Sequence, residues 1–475
     1  GGMPGLPDVV LAGHAPERAP ELRSQVRSQV REAGPVALAG FAANGANVVV
    51  TVLVARLLST RGYGALAQIT SLFLVVSLPG TAVVVGVVRR VTALALSRRT
   101  EAVSEWARRS HRQATVVVAV LAVGALAARG PLSRALSIPS PLAVFAILTA
   151  GMLWVVLSMD RGLLQARRRY RTLSANLVVE GGARTAAVLV LVGAGLGVAG
   201  AAWGILVAEA VTLLHARWAA DRAWGGRARR ARADEMESVT GVAGVPVVSG
   251  AARAAAATGH GVRGEHQRLV RDVLGALVAM ALLAYLQNVD VIVLGREAPG
   301  GTGPYAAISV ASKALVFGAI ALGGYLLPEA AIEWHRGGHA LRQLWVTVLF
   351  LAVPGAVLLL GAIAFPRWLL SLVFSARYVG AHAAFWPLVL AMCFLSVTVV
   401  LTIYLLAAGQ RWIGGLLAVG AVAATVALAA AHGAYRPTAL ADLAVQGGLA
   451  LSTAAVFVRL HSRRVFVATT ERLAA

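Results

Sequence analysis

Trp412-Ile-Gly-Gly-Leu-Leu-Ala-Val-Gly-Ala-Val-Ala-Ala-Thr-Val-Ala-Leu-Ala-Ala-Ala-His432 runs for 21 residues without an Asp, Glu, Lys or Arg. About 20 apolar residues in a helix cross the hydrocarbon of a bilayer. By the same measure the chain holds twelve such blocks. The first six lie near 35–58, 65–88, 113–129, 141–159, 175–196 and 197–217. The second six lie near 271–295, 304–328, 343–365, 383–408, 412–432 and 438–459. Composition agrees: 58% of the 475 residues are hydrophobic and 13% are charged, with a mean hydropathy of +0.75. Soluble domains sit near about 45–50% and about 25%. The predicted fold class is all-α and polytopic, with about twelve transmembrane helices.

The charge of +22 is nearly all arginine, Lys313 being the single lysine. The arginines lie between apolar blocks, which points to an anionic membrane surface as their partner rather than to nucleic acid. Their distribution also predicts topology. Arg89, Arg90, Arg98, Arg99, Arg108, Arg109 and Arg112 follow the second block, and Arg161, Arg167, Arg168, Arg169 and Arg171 follow the fourth. Arg222, Arg227, Arg229, Arg230, Arg232, Arg253, Arg263 and Arg268 follow the sixth, and Arg463, Arg464 and Arg472 follow the twelfth. The alternate loops are poor in arginine. Cytoplasmic loops carry the excess of Lys and Arg, so the expected location is a cytoplasmic (plasma) membrane with both termini cytoplasmic.

Five segments follow. Residues 1–34 form a cytoplasmic N-terminal segment, in which Arg-Ser-Gln-Val-Arg-Ser-Gln-Val at 23–30 has the spacing of an interfacial helix. Residues 35–217 form a first group of six helices and 218–270 a flexible cytoplasmic linker. Residues 271–460 form a second group of six, and 461–475 a cytoplasmic tail. No cleavable signal peptide is expected, since the first apolar block is too long for a signal core. The two groups echo each other: Arg56 and Tyr63 flank a glycine-bearing turn after the first block, as Arg296 and Tyr305 do after the seventh. Such parallel repeats occur in membrane transporters.

Charges retained inside a bilayer are expensive and usually face a cavity or a partner. Glu180 and Arg184 fall within the fifth block, Glu209 within the sixth and Lys313 within the eighth. Arg56 and Asp290 lie in the outer third of the first and seventh, with Asn44, Asn47 and Asn288 as further polar groups. Glu180 and Arg184, four residues apart, can pair on one helix face. Arg56 can instead snorkel to the interface. Asp290 can pair with Arg296 or with a neighbouring helix.

Other chemistry is thinly represented. There is no phosphate-cradling Gly-Lys-Ser/Thr loop and no nucleophile-elbow or zinc-protease motif. Glu333, His335 and His339 have metal-compatible spacing, but glycines interrupt them and no metal or other cofactor is expected. Cys393 is a lone cysteine within an apolar block, expected to pack as a small apolar residue.

Several stretches carry a family likeness. They are Ala-Arg-Leu-Leu-Ser-Thr-Arg-Gly-Tyr-Gly (55–64), Leu-Leu-Gln-Ala-Arg-Arg-Arg-Tyr-Arg (163–171), Asn-Val-Asp-Val-Ile-Val-Leu-Gly-Arg (288–296), Pro-Tyr-Ala-Ala-Ile-Ser-Val-Ala-Ser-Lys (304–313) and the segment from Leu369 to Tyr404. In these the chain resembles the Wzx-type polysaccharide flippases, of the superfamily that also holds the MATE multidrug exporters and the lipid II flippases. The resemblance implies two six-helix lobes around a central cavity and alternating access. It implies a non-enzymatic protein that moves an isoprenoid-diphosphate-linked saccharide from inner to outer leaflet for cell-surface polysaccharide biosynthesis. Membrane lipids and glycan-assembly proteins would be its partners. Cationic side chains would neutralise the diphosphate, here Arg56, Arg184 and Lys313. Glu180, Glu209 and Asp290 are the candidates for gating or ion coupling. The alternatives are a MATE-like cation- or proton-coupled drug exporter, which would use the same acids, and a membrane glycan polymerase or glycosyltransferase, which would be expected to carry a larger outer loop.

Overall fold

The computed structural model describes residues 39, 43, 45–47, 49–96, 100–239, 259–335, 341–407, 410 and 412–474. The segment 23–30, Asn44 and His339 lie outside the described residues, and so do the side chains of Glu333 and His335. Among the described residues every regular element is a helix. In chain order these are α1 (Gly45–Leu57), α2 (Thr60–Ser77), α3 (Gly80–Leu96), α4 (Thr100–Ala135), α5 (Pro141–Ala166), α6 (Tyr170–Leu191) and α7 (Gly197–Val239). There follow α8 (Gly259–Glu297), α9 (Thr302–His335), α10 (Leu341–Ala364), α11 (Pro366–Val373), α12 (Phe385–Ala407), α13 (Ile413–Ala429) and α14 (Tyr435–Ala474).

Nine described helical runs are long and apolar enough to cross a membrane. One of them, Tyr170–Ala223, has 54 residues and doubles back on itself. The shorter apolar helices Gly45–Leu57 and Ile413–Ala429 complete a set of about twelve passes. The outer surface matches this reading: Leu349, Phe350, Val422 and Leu451 are all more than 60% exposed. Such a coat would be a liability in water and is natural against lipid tails.

Local sequence explains where the helices start and turn. The Ser59 hydroxyl accepts a hydrogen bond from the Gly62 amide at 3.1 Å, so α2 begins at Thr60, ahead of the expected 65. Pro79 has no amide hydrogen to continue the helix, and α2 and α3 meet there as one bent span, Thr60–Val88. Between α6 and α7 the blocks abut with no polar loop. A single turn of π-helix at Val192–Leu196, with Gly195 at φ 84° and Gly197 at φ 56°, reverses the chain. Only glycine enters that region of backbone space freely. The arms of the hairpin close so tightly that a Cβ at Gly204 would stand 2.7 Å from the Val188 Cα.

The segment expected to be a flexible linker differs from that expectation. Helix α7 continues to Val239 and α8 begins at Gly259, so the described residues of 218–270 are helical. Alanine, arginine and glutamate are strong helix formers, and the reading from apolar content alone passed over that propensity.

Helices α2, α3, α4, α6 and α7 gather around α5, and α9, α10 and α14 around α12. The two groups meet where α2 packs on α8 and α9. Two glycines permit the closest approach: a Cβ at Gly64 would lie 2.6 Å from the Gly303 nitrogen, and one at Gly303 would lie 2.1 Å from the Thr60 oxygen. The echoed tyrosines sit at equivalent places, Tyr63 at the start of α2 and Tyr305 at the start of α9, 1% and 0% exposed. Because any side chain at 303 collides with backbone, Gly303→Ala is expected to force the lobes apart at this end. Overpacking of that kind costs roughly 1–3 kcal/mol. The check is a thermal unfolding midpoint in detergent several degrees below wild type; an unchanged midpoint would refute so close an approach.

Candidate functional site

Helix α6 places Asn176, Glu180 and Arg184 four residues apart on one face. The hairpin then sets α7 alongside in antiparallel register, bringing Glu209, Thr212 and His215 opposite them. Helix α5 contributes Arg161. The result is a chain of charges through lobe one. Arg161 donates from Nε to Asn176 Oδ1 (2.8 Å) and from Nη2 to Glu180 Oε2 (2.6 Å). Arg184 donates from Nη2 to Glu180 Oε1 at 2.9 Å and also to Glu209. Its Nη1 reaches Asn47 Oδ1 on α1 at 3.3 Å, and its guanidinium lies 5.5 Å from the centre of the Phe73 ring on α2. Asn176 in turn donates to the Thr212 carbonyl at 3.0 Å. Two arginines and two glutamates make this network neutral when all are ionised. That is the condition under which charges persist in a low-dielectric interior.

Lobe two has a smaller counterpart. Lys313 Nζ on α9 lies 3.1 Å from Asp290 Oδ1 on α8 and 3.4 Å from Asn288 Oδ1. Ser309, one turn before Lys313, donates to Asp290 Oδ2 at 3.0 Å. Lys313 had no acidic neighbour in the sequence; the packing of α8 on α9 supplies one 23 residues away. Asp290 therefore pairs with a neighbouring helix and not with Arg296, which is 66% exposed and lies 4.0 Å from Glu297.

Arg56 stands apart. It is exposed at the end of α1. It lies nine residues, about 13 Å along the helix, beyond the Asn47 that Arg184 holds. Its carbonyl, not its side chain, is engaged. Arg377, in a short 3-10 segment between α11 and α12, donates to the Arg56 and Ala55 oxygens at 2.7 and 3.1 Å, and Tyr378 donates to the Ala55 oxygen at 2.6 Å. These are the unsatisfied carbonyls of a helix C-terminus. With the Tyr63 and Tyr378 rings 5.3 Å apart, the bonds tie lobe one to lobe two at the Ser59 end of the bundle.

Three groups were not singled out from sequence. Asp442 on α14 is fully buried; Oδ1 accepts from Gln446 at 3.0 Å, while among the described residues Oδ2 has no hydrogen-bond partner. It lay inside the last apolar block, and the rule that marked Asp290 should have marked it too. Arg161 was counted with a loop, although helix α5 continues to Ala166. At the opposite end from Ser59, His111 Nε2 lies 2.9 Å from Asp160, to which Arg217 also comes within 3.8 Å. His111 and Asp160 fall just outside the apolar blocks 113–129 and 141–159.

No family model and no curated protein matches the chain. Solved structures do. An inward-facing multidrug-resistance MATE family transporter of the MOP superfamily aligns at a TM-score of 0.62 and 13% identity, over 88% of this chain and 95% of that one. A MOP superfamily transporter from Pyrococcus furiosus, described as having a binding pocket of reverse polarity, aligns at 0.59 and 13%, over 92% and 95%. An outward-facing MATE family transporter aligns at 0.58 and 13%, over 93% and 96%. The chain has the MATE transporter fold, with its two lobes of six helices.

Pairing across helices makes a definite demand. Asp290→Asn leaves Lys313 buried without a counter-charge, and breaking one side of a buried pair costs about 3–5 kcal/mol. Asp290→Asn and Lys313→Met should each lower the thermal midpoint in detergent strongly, and the double variant should recover much of the loss. Additive losses in that cycle would show that the two groups do not interact.

Proposed function

We propose that this protein is a secondary transporter that moves an isoprenoid-diphosphate-linked saccharide from the inner to the outer leaflet by alternating access. The fold it shares is one that solved transporters adopt in both inward-facing and outward-facing forms. The observation that carries the substrate class is the layering of charge in lobe one. The Arg184 side chain is the most accessible member of its network at 15%, Glu180 is 12% exposed, and Glu209 behind them is 0% exposed. Arg184 and Glu180 are therefore similarly accessible, and the network offers an anion a guanidinium to bind. Arginine matches phosphate geometry with paired donors. Here a diphosphate would compete with Glu180 and Glu209 for Arg184.

The energetics favour outward movement. A diphosphate carries about two negative charges, and each charge crossing the field is worth about 2.3 kcal/mol per 100 mV. Export from a negative interior therefore gains roughly 4–5 kcal/mol at 100 mV. Sugar hydroxyls need a polar path between the lobes, because each unsatisfied polar group in hydrocarbon costs several kcal/mol. The acyl chain can remain in the bilayer.

A second reading, a cation- or proton-coupled exporter, is favoured by Asp442, a buried carboxylate whose Oδ2 has no hydrogen-bond partner among the described residues. It is disfavoured by the acids first named for that role, since Glu180, Glu209 and Asp290 are each held by a basic side chain. The two readings part in one experiment: deletion of the gene in its native host, followed by extraction of lipid-linked saccharides. Accumulation of a cytoplasm-facing lipid-linked saccharide with loss of a surface glycan is the expected result. Complementation by the Arg184→Ala/Lys313→Ala double variant should fail although the protein is present in the membrane. Unchanged saccharide pools with new sensitivity to cationic dyes would instead favour the exporter.

A further inference from the structure

Of the nine described candidate spans, helix α4 carries the least buried one. Only 6% of its apolar window, within Val103–Ala135, is buried, and it packs chiefly on α5. Val116, Val120 and Val123 are 57%, 65% and 67% exposed. Directly before them stand Arg108 and Arg112, both exposed. Arg109 between them is paired with Glu105, and His111 points inward to Asp160. Among the described residues Arg108 and Arg112 make no ion pair. Positions 108, 112, 116 and 120 follow one another every four residues, which keeps them on one side of the helix. Arg112, Gln113, Val116 and Val117 line a shallow, open depression of about 290 Å³ whose accessible surface is mostly apolar.

We infer that this face of α4 is a binding site for an anionic phospholipid of the arginine-rich leaflet. Arg108 and Arg112 hold the phosphate, and an acyl chain lies along Val116, Val120 and Val123. The dimensions agree. Arg112 to Val123 is eleven residues, about 16 Å of helix rise, and half of a bilayer's hydrocarbon is about 15 Å. Valine, alanine and glycine dominate 114–125, so nothing bulky obstructs a chain lying against the helix, and a Cβ at Gly124 would meet no atom. Charge complementarity selects the lipid: two unpaired guanidiniums favour phosphatidylglycerol over a zwitterion. The lipid covers a face of α4 that no described helix covers. The site is independent of the transported substrate.

The test uses the full chain purified in detergent, with phosphatidylglycerol or phosphatidylcholine added back and thermal unfolding and bound lipid measured. Phosphatidylglycerol should raise the midpoint of the wild type and phosphatidylcholine should not. Arg108→Gln/Arg112→Gln should bind phosphatidylglycerol about 30-fold more weakly, the factor that follows from roughly 1 kcal/mol for each of two arginines at an anionic surface. Arg129→Gln/Arg134→Gln, at the other end of α4, should behave as wild type. Equal stabilisation by both lipids, or an undiminished response of the Arg108/Arg112 variant, would overturn the assignment.

Discussion

Charges inside this bundle are costly to leave uncancelled, because the surrounding solvent is hydrocarbon and cannot compensate them. That single demand organises both lobes. In lobe one it links α5, α6 and α7 through Arg161, Glu180, Arg184 and Glu209, and reaches α1 through Asn47. In lobe two it joins α8 to α9 through Asp290 and Lys313. Helices in a membrane gain no hydrophobic energy from meeting each other, so polar contacts and close glycine packing carry the specificity. Gly64 against Gly303 and Gly204 against Val188 are the packing half of that arrangement.

In lobe one Arg184 is shared between Glu180 on α6 and Glu209 on α7, the two arms of the hairpin that packs against α5. At the Ser59 end the lobes are joined by hydrogen bonds from Arg377 and Tyr378 to the last carbonyls of α1. Tyr378 and Ala55 are buried in that junction, and the close approach of Gly64 and Gly303 adds to it.

Much of the architecture was legible beforehand, for a physical reason. Crossing lipid imposes a length and an apolar composition on each segment, and both can be counted from the chain: the twelve blocks, the abutting pair at 175–217 and the echo of Tyr63 in Tyr305 all come from that. Helix ends were less legible where polar residues remained helical, as in the continuation of α7 to Val239 and the early start of α4 at Thr100. Hydropathy marks where lipid begins, not where hydrogen bonding between turns ends.

The residues of the site were divided in the same way. Glu180 and Arg184 could be paired on paper, since four residues make one helical turn, and they are paired at 2.9 Å. The pairing of Lys313 with Asp290, of Arg161 with Glu180, and the burial of Asp442 could not, since each depends on which helices become neighbours. Composition and periodicity settled the solvent this chain lives in and the number of times it crosses. Which charges neutralise each other was decided by packing, because a salt bridge between helices is a relation of distance in space, and residues 23 positions apart carry no mark in the sequence of meeting.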